Sequence, residues 1–158
     1  MKPPREGEER LGFDPASRAD ASVHFIGHIR SDWREGDVPR NLPRAREEGG
    51  GNARIELNEG FAPALLGLQE GQWIMVLTWM AEARRDLTVQ RPRHVDGPRG
   101  TFSLRSPARP NPVALGCVQI TAIDPTTGTL SIDATDCFDG TPVIDLKPYT
   151  SRVDSPQE

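Results

Sequence analysis

Two stretches of this 158-residue chain carry most of its chemical capacity. The first runs Gly100-Thr-Phe-Ser-Leu-Arg105-Ser-Pro-Ala-Arg109-Pro-Asn-Pro112. Its prolines push Ser106, Arg109 and Asn111 toward extended backbone, so the segment is a stiff arm with little ordering entropy left to lose. Arg105 and Arg109 are guanidinium forks suited to grip a carboxylate or phosphate in two-point fashion. Read alone, the same segment is a rigid connector with solvated arginines. The second stretch runs Asp136-Cys137-Phe138-Asp139-Gly140-Thr-Pro-Val-Ile-Asp145-Leu-Lys147-Pro-Tyr149. Asp139-Gly140 is a turn with positive φ at the glycine. With Asp133, Asp136 and Asp145, Asp139 sets a carboxylate rim on an apolar segment, which suits a cationic ligand. Read alone, it is a hairpin whose aspartates cap turns.

Other chemistries lack their residues. No GxxxxGK[ST] occurs and no GxGxxG follows a strand; Gly49-Gly50-Gly51 follows Glu47-Glu48 inside a loop and reads as a flexible linker. No GxSxG elbow is present. His24 and His28, four apart on a strand, lie about 13 Å from each other along it, too far to share one ion. No metal is therefore expected. Cys117 and Cys137 do not form a CxxC pair, and the first ten residues carry no apolar h-region, so a reduced, cytoplasmic protein is expected.

Net charge is −4, which excludes a simple basic nucleic-acid binder, but the charges are segregated. Residues 84–109 hold seven arginines against Asp86 and Asp96, while residues 124–158 hold seven acids against Lys147 and Arg152. A local basic patch on an acidic chain marks a partner surface more specifically than the overall charge does.

Glycine and proline number 15 each, more than helical bundles tolerate, and favour strands and loops. Val23 to Arg30 alternates as a half-buried strand, as does Ala53 to Leu57. Residues 31–51 read as loop. Phe61 to Leu68 is the one stretch where helix is expected. Gln72 to Met80 is apolar on both parities and predicts a strand buried on both faces. Residues 91–112, with five prolines, cannot form a regular element. Val113 to Asp124 and Thr129 to Ala134 make a hairpin, and Pro142 to Leu146 a last strand. The expected fold is all-β, an antiparallel barrel or sandwich with little helix and long loops. Residues 1–21 read as a flexible tail, 22–150 as the barrel domain and 151–158 as a C-terminal tail.

Together the two chemical stretches resemble one family. RSPxRPNP before an apolar strand, then DGTPVxDxKPY, is similar to the signature of the TsaA-like (YaeB/TrmO) methyltransferases. Ile26-Gly-His-Ile-Arg-Ser31, Val38-Pro-Arg-Asn41 and Trp73-Ile74 extend the likeness. The resemblance implies a closed, antiparallel-rich β-barrel with one or two short helices. It implies a homodimer that binds S-adenosylmethionine and methylates threonylcarbamoyladenosine in tRNA. Carried over by position, the donor site would use Pro39, Arg40, Asn41, Thr78, Trp79, Arg105, Leu115, Asp136, Cys137, Phe138 and Asp139. Arg40, Arg105, Arg109 and Lys147 would hold the acceptor, and Asp139 and Arg105 would serve catalysis. This chain departs from the pattern at Thr78-Trp79, where Phe-His is usual, at Leu104, where threonine precedes the arginine, and at Gly116, where serine is common. The alternatives are a small-molecule methyltransferase of the same fold and a non-catalytic S-adenosylmethionine sensor.

Overall fold

The computed structural model describes residues 2–157. Their strands are β1 (Glu9–Arg10), β2 (Gly27–Arg30), β3 (Arg54–Leu57), β4 (Trp73–Trp79), β5 (Leu87–Gln90), β6 (Arg99–Gly100), β7 (Val113–Asp124), β8 (Thr129–Ile132) and β9 (Pro142–Pro148). Two short helices, α1 (Leu42–Glu47) and α2 (Ser151–Asp154), accompany them. The chain divides into two compact units, one of Met1–Val23 with Met80–Ala114, the other of His24–Trp79 with Leu115–Glu158.

The larger unit is built around a closed barrel of strand order β2-β3-β8-β7-β4-β9, in which β9 pairs back onto β2. Alternation of apolar residues supplies its interior: Ile29, Ile55, Ile74, Val76, Ile120, Leu130 and Val143 are all buried. Closure leaves no free edge for another chain to extend. β4 differs from expectation. Ile74, Val76 and Thr78 are buried, Met75 and Leu77 are half-buried and Trp73 is exposed, so only one face is fully enclosed. A barrel strand has one inward face, and apolar residues on the other parity do not change that.

Helix forms where loop was expected. Asn41 caps α1 by accepting the Arg44 N–H at 2.9 Å, Pro43 sits in the first turn, and Arg44 pairs with Glu47 and Glu48 along the helix. Proline early and a capping side chain before it are both start signals. Phe61 to Leu68 instead makes only a 3₁₀ turn over Ala62–Leu65, because Gly67, at a φ of 94°, turns the chain away from a helical path.

The smaller unit is a three-stranded antiparallel sheet, β1-β5-β6. The stretch 1–21, read from composition as a tail, supplies β1, and the proline-rich segment supplies β6 and a 3₁₀ turn, Thr101–Ser103. Asp86 organises this unit. Its carboxylate accepts both Nε and NH2 of Arg84 at 2.8 Å, Arg84 also donates to the Lys2 carbonyl, and the Leu11 N–H bonds the Asp86 carbonyl at 2.7 Å. The Arg84 hydrogen bonds hold the Asp86 carboxyl below its ordinary 3.8. A depressed carboxylate stabilises the fold above that value and loses its contribution as pH falls through the folded value. Asp86→Ala should therefore cost about 3 kcal/mol, the scale for breaking a buried ion pair. Faster hydrogen exchange at the Leu11 amide, with barrel amides unchanged, is the expected readout; wild-type protein should show the same loosening in strong acid.

Candidate functional site

In the barrel unit, the loop after β2 is clasped by the loop between β8 and β9. The Ser31 N–H donates to Asp139 Oδ1 at 3.2 Å and its hydroxyl to the Cys137 carbonyl at 2.9 Å. The Asp139 N–H returns to the Trp33 carbonyl at 3.0 Å, and the Gly140 N–H to Ile29 at 2.8 Å. Trp33 donates its indole N–H to the Thr135 carbonyl at 2.7 Å. Beneath it lies Gly51, where a Cβ would run into the indole ring, and Gly50, where one would strike the Asp133 carbonyl. Both have positive φ. Of the glycine triplet expected as a flexible linker, Gly50 and Gly51 are thus a close-packed floor, which only glycine can form at this distance and conformation, while Gly49 is exposed with open space around it.

This clasp accounts for several expected site residues. Asp139 has one oxygen on the Ser31 amide and the other 3.8 Å from an Arg30 nitrogen. Asp136 and Phe138 are half-buried beside it. Cys137 points into the barrel core, 6% exposed, with its sulfur 3.8 Å from the buried Thr78 hydroxyl. Burial pushes the Cys137 thiol up to about 11. A raised thiol stays protonated and unreactive at neutral pH. Cys137 should resist a disulfide reagent at pH 8 until the protein is unfolded, as counted by absorbance of the released thiolate.

Other expected residues are placed as follows. Trp79 is half-buried against the Phe25 ring at 6.4 Å. Leu115 is exposed on β7. Gly116 leaves room for Leu42 of α1, whose methyl a Cβ would approach to 3.2 Å. Asn41, expected at the donor, spends its side-chain oxygen on the helix cap. Lys147 pairs with Asp145 at 3.2 Å and lines an apolar cavity with Phe61, Leu65 and Leu146. Arg105 and Arg109 belong to the smaller unit; Arg105 is exposed, and Arg109 braces its own arm by donating to the Leu104 and Ser106 carbonyls at 2.9 and 3.0 Å.

A cavity of about 530 Å³ opens at the loop after β2, lined by Trp33, Asp37, Val38, Pro39 and Arg40 together with Arg44 and Glu48 of and beside α1. Its volume falls within the range of about 300–1,000 Å³ that small-molecule sites occupy. Pro39 is buried in its wall and Arg40 is exposed at it. Trp33 was not anticipated from sequence, because its partners, Thr135 and Gly51, are distant in the chain.

The family model for the tRNA-methyltransferase O N-terminal domain matches residues 28–155, spanning the whole clasp, the cavity and the arm. This chain belongs to that family. Among relatives of the domain, a probable S-adenosyl-L-methionine-binding protein of Rhizobium radiobacter, VirR, is 34% identical over 132 residues, covering 84% of this chain and 73% of its own. Another of that description from Halobacterium salinarum is 41% identical over 112 residues, 71% of this chain and 87% of its own. The crystal structure of TrmO from Pseudomonas aeruginosa superposes with a TM-score of 0.67 at 28% identity, over 87% of this chain. The chain spans 60% of that protein's length. Membership of the TrmO N-terminal family agrees with the fold expected from the two motifs.

Proposed function

We propose that this chain is an S-adenosylmethionine-dependent methyltransferase whose acceptor is a threonylcarbamoyl-modified adenosine of tRNA. The observation that carries the reading is the 530 Å³ cavity, walled by Pro39, Arg40 and Trp33, whose carbonyl accepts the Asp139 N–H, within a matched TrmO N-terminal domain. The cavity fits the donor in size, and with Glu48 already paired to Arg44, Asp37 is the carboxylate it offers a sulfonium, while Arg40 offers a cation to the donor's carboxylate.

When bound, S-adenosylmethionine supplies an electrophilic methyl group. The protein's own part is positioning, because a displacement requires its reacting atoms about 3–3.5 Å apart and in line. The clasp holds one wall of the site, Trp33, by both its carbonyl and its indole N–H. A carbamoylated nitrogen is a weak nucleophile, so its proton must be accepted as the new bond forms, and Asp139 is the carboxylate assigned that role. Arg105, Arg109, Arg40 and Lys147 are assigned to the acceptor.

Calorimetry with S-adenosylmethionine and S-adenosylhomocysteine tests the donor claim. Binding of both is expected, weakened when Asp136 and Asp139 are replaced, and absence of heat and of any thermal shift with either would sink it. For the acceptor, tRNA affinity should fall steeply with salt, since each neutralised phosphate releases counterions. Mass spectrometry of tRNA nucleosides after incubation with the donor identifies the product; a tRNA acceptor implies a cytoplasmic protein.

A second reading is donor binding without transfer. It draws on Thr78-Trp79 and on relatives described only as S-adenosyl-L-methionine-binding proteins. Donor heat with no methylated nucleoside, and no turnover of small acceptors, would favour it. A small-molecule acceptor would instead show turnover that is indifferent to salt.

The working unit is inferred to be a homodimer. The smaller unit carries 11 lysines and arginines against 8 acids, and the barrel unit 8 against 15. Two-fold pairing lets the basic arm of one copy meet the acidic barrel of the other, twice per dimer.

A further inference from the structure

β2 and β3 pair in a register that sets Arg30 directly opposite Arg54. Like charges facing across an antiparallel ladder destabilise it, so the pair costs the barrel something that folding alone does not require. One carboxylate is shared between them: Glu56 lies 2.9 Å from Arg30 Nε and 3.7 Å from Arg54 NH2. Both arginine side chains remain 40% exposed, open to a further partner. Arg34 adds a third guanidinium, and no hydrogen bond or ion pair of its side chain occurs among the described residues.

These three arginines line a cavity of about 290 Å³ with Ser31, Asp32, Asn52 and Asp139. Its volume is at the small end of the range for ligand sites, ample for a single oxyanion. Asn52 is the one non-glycine residue among those described with positive φ, at 49°, and it is set at this wall by the packed glycine floor. Asp139 belongs at once to this cavity and to the loop assigned to the donor, so a group seated here lies beside that loop. Guanidinium forks match the two oxygens of a carboxylate or the oxygens of a phosphate, and the acids at the rim discourage promiscuous anion binding unless a hydroxyl or N–H sits next to the charge.

We propose that the Arg30–Arg34–Arg54 cavity is an oxyanion subsite that seats a carboxylate or phosphate group of the acceptor. The inference rests on the acceptor reading above, and it adds a barrel subsite to the arginines assigned there.

The test uses the full chain with S-adenosylhomocysteine bound. Three probes are titrated: threonylcarbamoyladenosine nucleoside, its carboxylate methyl ester, and inorganic phosphate. Affinity is measured by calorimetry and position by the Ser31 and Asn52 amide shifts. Arg54→Gln and, on an exposed side chain with no partner among the described residues, Arg34→Gln are the variants. If a carboxylate is the ligand, each variant weakens the nucleoside about tenfold or more while S-adenosylhomocysteine affinity is unchanged, and the ester binds wild type and variants equally weakly. If a phosphate is the ligand, inorganic phosphate moves the Ser31 and Asn52 amides in wild type and not in the variants. Unchanged nucleoside affinity in both variants, with no phosphate-induced shift, would overturn the proposal. Absence of donor binding in wild type is a different result and strikes the methyltransferase reading instead; the phosphate titration then still decides the cavity.

Discussion

Gly51→Ala should yield a protein that melts about 10 °C lower and binds the methyl donor at least tenfold more weakly. Two costs combine at this residue. Its φ is 76°, where an L side chain is strained, and the new Cβ would lie 2.5 Å from Trp33 Cε2. Left-handed strain and overpacking each amount to about 1–3 kcal/mol. The indole must move, and with it goes the 2.7 Å bond to Thr135 that holds the two loops together. Gly49→Ala is the matched control. Its φ is 89°, but no atom lies within 4 Å of the added Cβ, so only the backbone cost of about 1–2 kcal/mol remains. Tryptophan fluorescence melting and donor calorimetry on the two variants read both effects. Equal losses in Gly49→Ala and Gly51→Ala would show that Trp33 packing contributes nothing to the site.

Mixing inactive Arg105→Ala and Asp139→Ala proteins should restore about a quarter of wild-type activity under conditions of subunit exchange. Half of the randomly exchanged dimers are mixed, and one of the two sites in each is intact when the residues serve a site from different copies. The expectation follows from the charge segregation between the units and from the inferred homodimer. Each variant is expected to fold, because Arg105 is exposed and Asp139 is a half-exposed carboxylate in a loop with other clasp bonds. No recovery on mixing would place both residues of a site in one copy. Full activity from a monomer, measured by light scattering at assay concentration, would remove the two-chain arrangement altogether.

These two experiments probe features of different legibility. Barrel strands could be read from alternation in Ala53–Leu57, Thr129–Ala134 and the second half of Val23–Arg30, because a half-buried strand imposes a two-residue period on its own sequence; the strand there is only Gly27–Arg30, and Val23 is exposed. The family could be read from the arm and the Asp139 loop, because both are long runs of unusual residues. Helix α1 was also written locally, in Asn41 and Pro43, but charge and flanking glycines disguised it as loop. Gly49-Gly50-Gly51 was misleading for a physical reason. Positive φ makes glycine permissive, and whether permissive means mobile or tightly packed depends on Trp33 and Asp133, which are distant in the chain.

By itself, then, the sequence determined where the main barrel strands run, the family, and the two segments whose residue types suit chemistry. Each of these is a local property of spacing and residue type. Tertiary structure alone decided that Cys137 and Thr78 face each other inside the barrel, that Asn41 spends its side chain on a helix cap, and that residues 9–10 pair with 87–89. It alone decided that Arg30 and Arg54 stand opposite one another. Those facts depend on register and on contacts between segments far apart in the chain, which burial and hydrogen bonding select only when the barrel closes and the smaller sheet forms.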